Sequence, residues 1–461
     1  MMRVFEFLVA LVIVAVIGVV AAVVMPSSGH VERSQVVGKD MRQVYDLLNN
    51  FRRFPDYSVL RSMDSGVQFK FSGKACGPGA EISWTSSDPK LGDGGLTIAS
   101  ATPQFDQIDS NTQDASIVWN LDNNWRGLDK HFTLDMERKS NGRLTEITWS
   151  YDVQYGWNLI NRFANLYIHG DPDSFIQFSL NNLQNVLAGV ANVDYSDLVP
   201  RIAQSQPTPV LFVTRHIDRS KGGSEVLDDI LAQSDTELRA QAKKLGVNVT
   251  GPAVLFITNY GDPDFDFNVA LPIDSSSLTI DGQAQQLTAP IAPSLDAAAA
   301  AEPAPSASAA AAAAAAAVAG TRDRFGNLVV GGDVRAMMAF GGATLQGYWE
   351  GTFNGVPQTV KMLTAYAQTH GYKFDSTISP PYDIVTTPQV KDSTGAITSY
   401  ARHQVSLPLS DAPAQTPEQE AGLLPADQSA PAAAGSAPAA AGTAPAPASS
   451  AEPAAAASAA E

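Results

Sequence analysis

Between Val31 and Leu187 the spacing of apolar residues changes from strand to helix, back to a long run of strands, and again to helix. His30 to Val37 reads as a strand. Asp40 offers a helix N-cap, and Val44, Leu47, Leu48 and Phe51 follow at helical spacing, with Pro55 expected to end that helix. Period-two alternation then takes over: Val67, Phe69, Phe71; Ile82, Trp84; Leu96, Ile98; Ile117, Trp119, Leu121; Phe132, Leu134, Met136; Ile147, Trp149, Tyr151. Such strands bury one face and solvate the other, as in an antiparallel sheet. Gly77-Pro78-Gly79, Gly92-Asp-Gly-Gly95 and Asn141-Gly142 supply the turns. A short apolar segment, Trp157 to Tyr167, precedes a closing helix that starts near Asp173 and carries Ile176, Leu180, Leu183 and Leu187 on one stripe. This order predicts a curved antiparallel sheet wrapped around a helix, with an apolar hollow between them.

The second half carries an internal echo. Asn268-Val-Ala-Leu-Pro-Ile273 recurs as Gln404-Val-Ser-Leu-Pro-Leu409. Around the first copy lie a strand at Val210–Thr214, a helix that stops at Gly246, a buried strand at Ala253–Thr258, and an alternating strand through Phe265, Phe267, Val269, Leu271 and Ile273. The second copy is expected to run from a strand through Val334, Ala336, Met338 and Phe340 to a helix with Val356, Val360, Leu363 and Ala367, ended by Gly371. A short strand at Tyr382–Val385 and a last one through His403, Val405, Leu407 and Leu409 complete it. A strand-helix-strand-strand unit occurring twice implies a pseudo-twofold domain whose groove between the halves is the default ligand site.

The ends and one insert differ in kind. Phe7 to Met25 has no charged residue and comes close to spanning the roughly 30 Å hydrocarbon core. It is longer than a usual signal-peptide core of about 7–15 residues, which favours an uncleaved anchor. Arg3 favours an inside N-terminus while Arg33, Lys39 and Arg42 weaken that preference. The expectation is a single-pass protein of a bacterial inner membrane with its bulk in the periplasm, the cytoplasmic face being the alternative. Ala297–Ala319 and Ala412–Glu461 are rich in Ala, Pro and Ser and lack the large apolar side chains that offset ordering entropy, so a spacer and a disordered tail are expected.

Charge and composition narrow the functions. With 30 Lys+Arg against 47 Asp+Glu, the net charge is -17, and no basic patch stands out, so nucleic acid is not an expected partner. Cys76 is the only cysteine, which rules out an intrachain disulfide and a cysteine-based zinc cluster. The six histidines include no pair at a spacing of three or four, and His403 reads as a packed, hydrogen-bonded imidazole. Gly170-Asp-Pro-Asp173 and Gly261-Asp-Pro-Asp264 supply too few ligands for calcium; the first reads as a helix N-cap and the second as a turn. No nucleophile elbow, metalloprotease or nucleotide-binding motif is present. Neither a metal nor a cofactor is expected. Glu81 and Glu350 are the carboxylates to consider for acid–base work. Aromatics are the better ligand candidates: Trp84, Trp119 and Trp149 on the first set of strands, and Phe256, Tyr260, Tyr348, Trp349 and Tyr382 near the second groove.

Several of these residues carry a resemblance. Val44-Tyr-Asp-Leu-Leu48, Phe51-Arg-Arg-Phe-Pro-Asp-Tyr-Ser58, Gly79-Ala-Glu-Ile-Ser-Trp84 and the helix after Gly170-Asp-Pro-Asp173 make Val31–Val190 similar to the START-like (SRPBCC, polyketide cyclase/lipid-transport) superfamily. That implies a helix-grip fold holding an apolar ligand. Gly251-Pro252, the two echoed strands and the helix end Leu363–Gly371 make Pro209–Leu409 resemble a GyrI-like effector-binding domain. The sequence thus reads as an α+β chain in four parts: an anchor at 1–29, a helix-grip domain at 30–195, a pseudo-twofold α/β effector-binding domain at 205–410 with an insert at 297–319, and a tail at 411–461. The leading reading is a membrane-anchored binder of a hydrophobic small molecule or lipid with a second effector site. An enzyme (cyclase, dehydratase or hydrolase) on a small hydrophobic substrate and a structural envelope protein remain alternatives. The sequence leaves the oligomeric state open.

Overall fold

The computed structural model describes residues 2–104, 107–109, 111–196, 198, 200–218, 224–261, 264–292 and 318–411. The expected insert, save its last two residues, the tail beyond residue 411, and Asp262-Pro263 of the second Asp-Pro turn lie outside the described residues. The chain is α+β, with two large antiparallel sheets.

Helix α1 (Met2–Val24) holds the apolar run, and its Val4–Val24 stretch, of mean hydropathy 3.3, is long and apolar enough to cross a membrane. Strand β1 (Ser28–Val37) leads to α2 (Met41–Leu48), where the Asp40 carboxylate caps the helix by accepting from the Arg42 amide at 2.8 Å. The helix stops at Leu48, earlier than expected. Pro55 does not end it but lies in the first turn of a new short helix, α3 (Phe54–Tyr57), where a missing amide hydrogen costs nothing. Every residue of α2 is buried, polar ones included, because the helix is covered on two sides. After α4 (Leu60–Met63) come β2 (Gln68–Gly73), β3 (Ala80–Thr85), β4 (Gly94–Thr102), β5 (Asp114–Asp122), β6 (Leu128–Lys139) and β7 (Leu144–Gln154). They form a meander of order β1-β7-β6-β5-β4-β3-β2. Asn141 and Gly142 make the β6–β7 turn with φ of 57° and 85°, the left-handed region that these two residues tolerate.

Short helix α5 (Leu159–Arg162) precedes α6 (Asp171–Ala188), which begins two residues before Asp173 and places Asp171, Pro172 and Asp173 in its first turn. Ile176, Leu180, Leu183 and Leu187 are all buried, and the helix packs on α3, β1 and β7. The space between this helix and the sheet, expected to be hollow, holds a packed aromatic cluster. Phe132 stacks on Phe175 at 5.4 Å, and Trp119 meets Trp149 edge to face at 5.4 Å and Phe51 at 5.2 Å.

The second sheet gathers β8 (Arg201–Ser205), β9 (Thr208–Asp218), β10 (Val254–Tyr260) and β11 (Asp264–Pro272), followed past a small hairpin, β12 (Ser277–Ile280) and β13 (Gln283–Gln286), by β14 (Leu328–Gly331), β15 (Val334–Ala339) and β16 (Gly342–Gly351). Beyond these lie β17 (Tyr382–Thr387), a two-stranded flap of β18 (Val390–Lys391) and β19 (Ile397–Ser399), and β20 (Ala401–Pro408). Helix α7 (Ser224–Leu245) follows β9, and α8 (Val356–Thr369) follows β16. Apart from β14 at one edge, the order β14-β15-β9-β11-β10-β17-β20-β16-β8 is symmetric about the β10–β17 seam.

The duplication extends to register. Asn268 pairs with Thr214 and Pro272 with Val210; in the second half Gln404 pairs with Tyr348 and Pro408 with Thr344. Each partner sits the same number of residues into its strand. The counterpart of β9 is therefore β16, and the expected opening strand of the second copy, Val334–Phe340, is instead an extra strand laid against β9. At the β10–β17 seam three residue pairs join the halves, Val254–Ile384, Leu255–Asp383 and Phe256–Tyr382.

Helices α7 and α8 cover one face of this sheet. The two sheets contact each other through α2 and α8. At that joint Asn50 donates to the Thr369 carbonyl, Arg53 to the Gln368 carbonyl at 2.7 Å, and the Tyr195 hydroxyl to Asp46 at 3.0 Å.

Candidate ligand groove

Strands β9 and β10 are apolar on both faces. Leu211, Val213, Leu255 and Ile257 join the core under the helices. Val210, Phe212, Val254 and Phe256 point the other way and form a second small cluster with Ala270, Met337 and Tyr382. Among the described residues no helix covers that second face, so a strand that reads as doubly buried has one apolar face left for something else.

A cavity of about 330 Å³ opens there. Its floor is Phe212, Phe256, Thr258, Asn268 and Met337, and its walls come from Pro207, Ala289-Pro290, Phe325, Asn327, Phe340-Gly341 and Thr377 to Pro380. Volume and apolar lining match those of small-molecule sites. Among the described residues no charged side chain lines it.

Two polar side chains on the floor of the groove are already hydrogen-bonded. Asn268 accepts from Thr214 at 2.8 Å, and Thr258 donates to the Asp266 carbonyl at 2.9 Å. Asn327 is different. Its Nδ2 donates to Asp323 Oδ2 at 3.0 Å, and because a carboxylate only accepts, this fixes the orientation of the amide. Its Oδ1 is buried and has no partner. That oxygen is closed off from the groove as well as from the protein's donors, so what the groove offers a guest is its apolar floor.

The expected aromatic residues divide between the two faces. Phe256 lines the groove, and Tyr382 packs beside it at 5.7 Å between ring centroids. Tyr260 turns to the helix-covered side, against Phe265 at 5.2 Å, because a bulge between Ile257 and Asn259 reverses the alternation. Tyr348 lies on β16, with β17 and β20 between it and the groove-forming strands, under the Arg201 guanidinium. Trp349 packs at the start of α8 and donates to the Thr352 carbonyl at 2.8 Å. In the first sheet Trp84, Trp119 and Trp149 are buried; Trp84 lies across Gly94, where any side chain would collide with the indole. All three indole N–H groups and the Tyr57 hydroxyl are buried without a partner, and burial pushes the Tyr57 phenol up.

Of the two candidate carboxylates, Glu81 accepts from Ser72 at 3.0 Å and Glu350 from Arg402 at 3.1 Å, both at the surface. Sequence reasoning missed a buried pair. His403 Nδ1 lies 2.8 Å from Asp383 Oδ2 on the helix-covered face, and burial holds the Asp383 carboxyl above its ordinary value. The signal was available: Asp383 alternates with Tyr382 and Ile384 on an apolar strand. Among the described residues no three His, Cys, Asp or Glu side chains gather as a metal site. A second cavity, about 360 Å³ on the outer face of the first sheet, is lined by Asp114, Asp135, Glu137 and Glu146 and has no comparable apolar floor.

No family model matches the chain, and no curated protein matches it. Among solved structures, norcoclaurine synthase from Thalictrum flavum, in complex with dopamine and hydroxybenzaldehyde, is 8% identical over 36% of this chain and 90% of its own, with a TM-score of 0.26. The protein XoxI from Bacillus cereus is 12% identical over 35% and 96%, with a TM-score of 0.25. Ara h 8.0201 is 11% identical over 35% and 98%, with a TM-score of 0.23. Likeness of this degree argues for no shared ligand or activity.

Proposed function

We propose that this chain is a membrane-anchored binding protein for a neutral, largely apolar small molecule. The observation that carries the reading is the apolar groove on the open face of the second sheet, floored by Phe212, Phe256 and Met337. Each buried CH₂ contributes about 0.8 kcal/mol, so a body of about ten carbons leaves several kcal/mol of affinity after ordering costs. The duplicated strand-helix-strand-strand plan supports an effector-binding role for residues 205–410. The apolar helix Val4–Val24 supports the anchor, in a bacterial inner membrane with the bulk outside. Among the described residues no Asp, Glu or His lines this groove, so the enzymatic alternative draws no support from it.

Native mass spectrometry of the full chain, released from detergent, tests the proposal. The expected result is a co-purified hydrophobic adduct at one per chain, displaced by added N-phenyl-1-naphthylamine, an apolar amine with a single N–H. Absence of both an adduct and probe binding defeats the reading.

A second reading places a ligand in the first sheet, as the helix-grip resemblance implies. It is favoured by one observation: Trp84, Trp119, Trp149 and Tyr57 hold four buried donors without acceptors. A guest with acceptor atoms entering that aromatic cluster would satisfy them. Such a guest would survive blockage of the groove in the second sheet, which separates the two readings.

A further inference from the structure

We infer that residues 157–167 form a second membrane contact, a short amphipathic segment that lies in the headgroup region beside the end of the spanning helix. The inference rests on the reading of α1 as a membrane span.

The segment exposes large apolar side chains to a degree unusual for a folded domain. Trp157 is 85% exposed, Tyr167 74%, Ile160 70% and Leu166 64%. Scattered exposed hydrophobics need no explanation, but four within eleven residues, with Phe163 half-buried among them, form a patch. Two of the four are Trp and Tyr, whose apolar rings with one polar atom favour the membrane–water boundary.

What covers the patch follows from what it is tied to. Arg162 is buried and reaches the C-terminal end of α1, donating through Nη1 to the carbonyls of Val23 at 3.1 Å and Met25 at 3.3 Å. Its Nε donates to the Gly156 carbonyl at 2.9 Å. A helix end leaves carbonyls unpaired and carries partial negative charge, so a guanidinium there both completes hydrogen bonds and offsets the dipole. The Tyr155 and Gly156 amides also donate to the Ser27 carbonyl, at 2.8 and 3.2 Å. The segment is thus fastened to the place where a spanning helix leaves the hydrocarbon. The Trp157 ring is 5.2 Å from the Arg162 guanidinium, an aromatic-and-cation pair suited to that depth. The occupant is one leaflet of the bilayer. It needs no anionic lipid, because the patch offers apolar and aromatic groups and the chain as a whole is acidic.

The test uses the full chain in phosphatidylcholine vesicles, with Ile160→Cys, Leu166→Cys, Val12→Cys and Val390→Cys each carrying a nitroxide. The native Cys76 is buried, and wild-type protein serves as the labelling blank. Collision with oxygen, which partitions into lipid, is compared with collision with a water-soluble nickel complex. Expected are lipid-side preference at positions 12, 160 and 166 and water-side preference at 390. Water-side values at 160 and 166, with 12 in lipid, overturn the inference and leave the anchor standing. Labels at 160 and 166 reached by neither reagent overturn it too, because a protein surface then covers the patch. Water-side values at 12 as well defeat the anchor and this inference together.

Discussion

Asp383 and His403 form a buried hydrogen-bonded pair at 2.8 Å, and they occupy the positions that the duplicated first half fills with Leu255 and Phe267. Both side chains are at most 5% exposed, and Asp383 Oδ1 and His403 Nε2 have no other partner. One half of the sheet thus carries, at its seam, a polar pair where its counterpart carries an apolar one. Removing one member strands the other: His403→Phe is expected to cost about 3–5 kcal/mol of unfolding free energy. Replacing both, Asp383→Leu with His403→Phe, copies the first half and is expected to be neutral or stabilising. Urea unfolding of the two singles and the double gives the coupling directly; a double variant as weak as the singles combined would show that the pair is not redundant with its apolar counterpart.

The groove should close when its floor is raised from an exposed position. Thr258 lines it and is solvent-exposed, so Thr258→Trp fills space at little risk to the core. Binding of N-phenyl-1-naphthylamine is expected to fall at least about tenfold, equivalent to about 1.4 kcal/mol. Phe256→Ala, which removes an aromatic wall, is expected to weaken binding by about 1.5–3 kcal/mol. Equal titrations for wild type and both variants would place the probe elsewhere.

Arg162 holds the junction between α1 and the first sheet through three carbonyl hydrogen bonds. Gln cannot span the same three acceptors. Arg162→Gln is expected to loosen this junction by about 2 kcal/mol or more. Amide exchange across residues 155–168 should then accelerate by more than about tenfold, with the strands of the first sheet unchanged. Unaltered exchange there would show that the junction is held by packing alone.

His370 gives the chain an acid-sensitive joint. Its ring is stacked on Tyr366 at 3.8 Å, is buried at the contact between the two sheets, and is held below its ordinary pKa chiefly by burial, with Asp46 partly opposing. A depressed histidine contributes stability that is complete above the unfolded value, about 6.5, and is lost as pH falls through the folded value. The loss approaches about 1.4 kcal/mol per pH unit between those two values. Urea midpoints of wild type and His370→Gln, followed from neutral to acid pH, should converge over that window; parallel curves would remove His370 from the balance.

The two halves of the sequence were not equally legible. Strands β3 to β7 announced themselves because each has one solvated face, so polar and apolar residues alternate. The Asn141-Gly142 turn and the stripe of Ile176, Leu180, Leu183 and Leu187 were equally direct. The groove was not legible, because its walls come from loops far apart in sequence, such as Pro290, Asn327 and Pro380, and loops carry no periodicity. Tyr260 turns from the groove for a local reason, since one bulged residue inverts everything after it. Strand β15 reads as the start of the second repeat because Val334 to Phe340 alternates as well as any true repeat strand. Only hydrogen-bond register distinguishes an appended strand from a duplicated one.

Strands β10 and β17 cross-pair at three positions, and the apolar core beneath α7 and α8 runs on through both repeats. Neither repeat is walled off from its twin, so stiffening one should stiffen both, and the sheet should melt as a single body instead of in two steps.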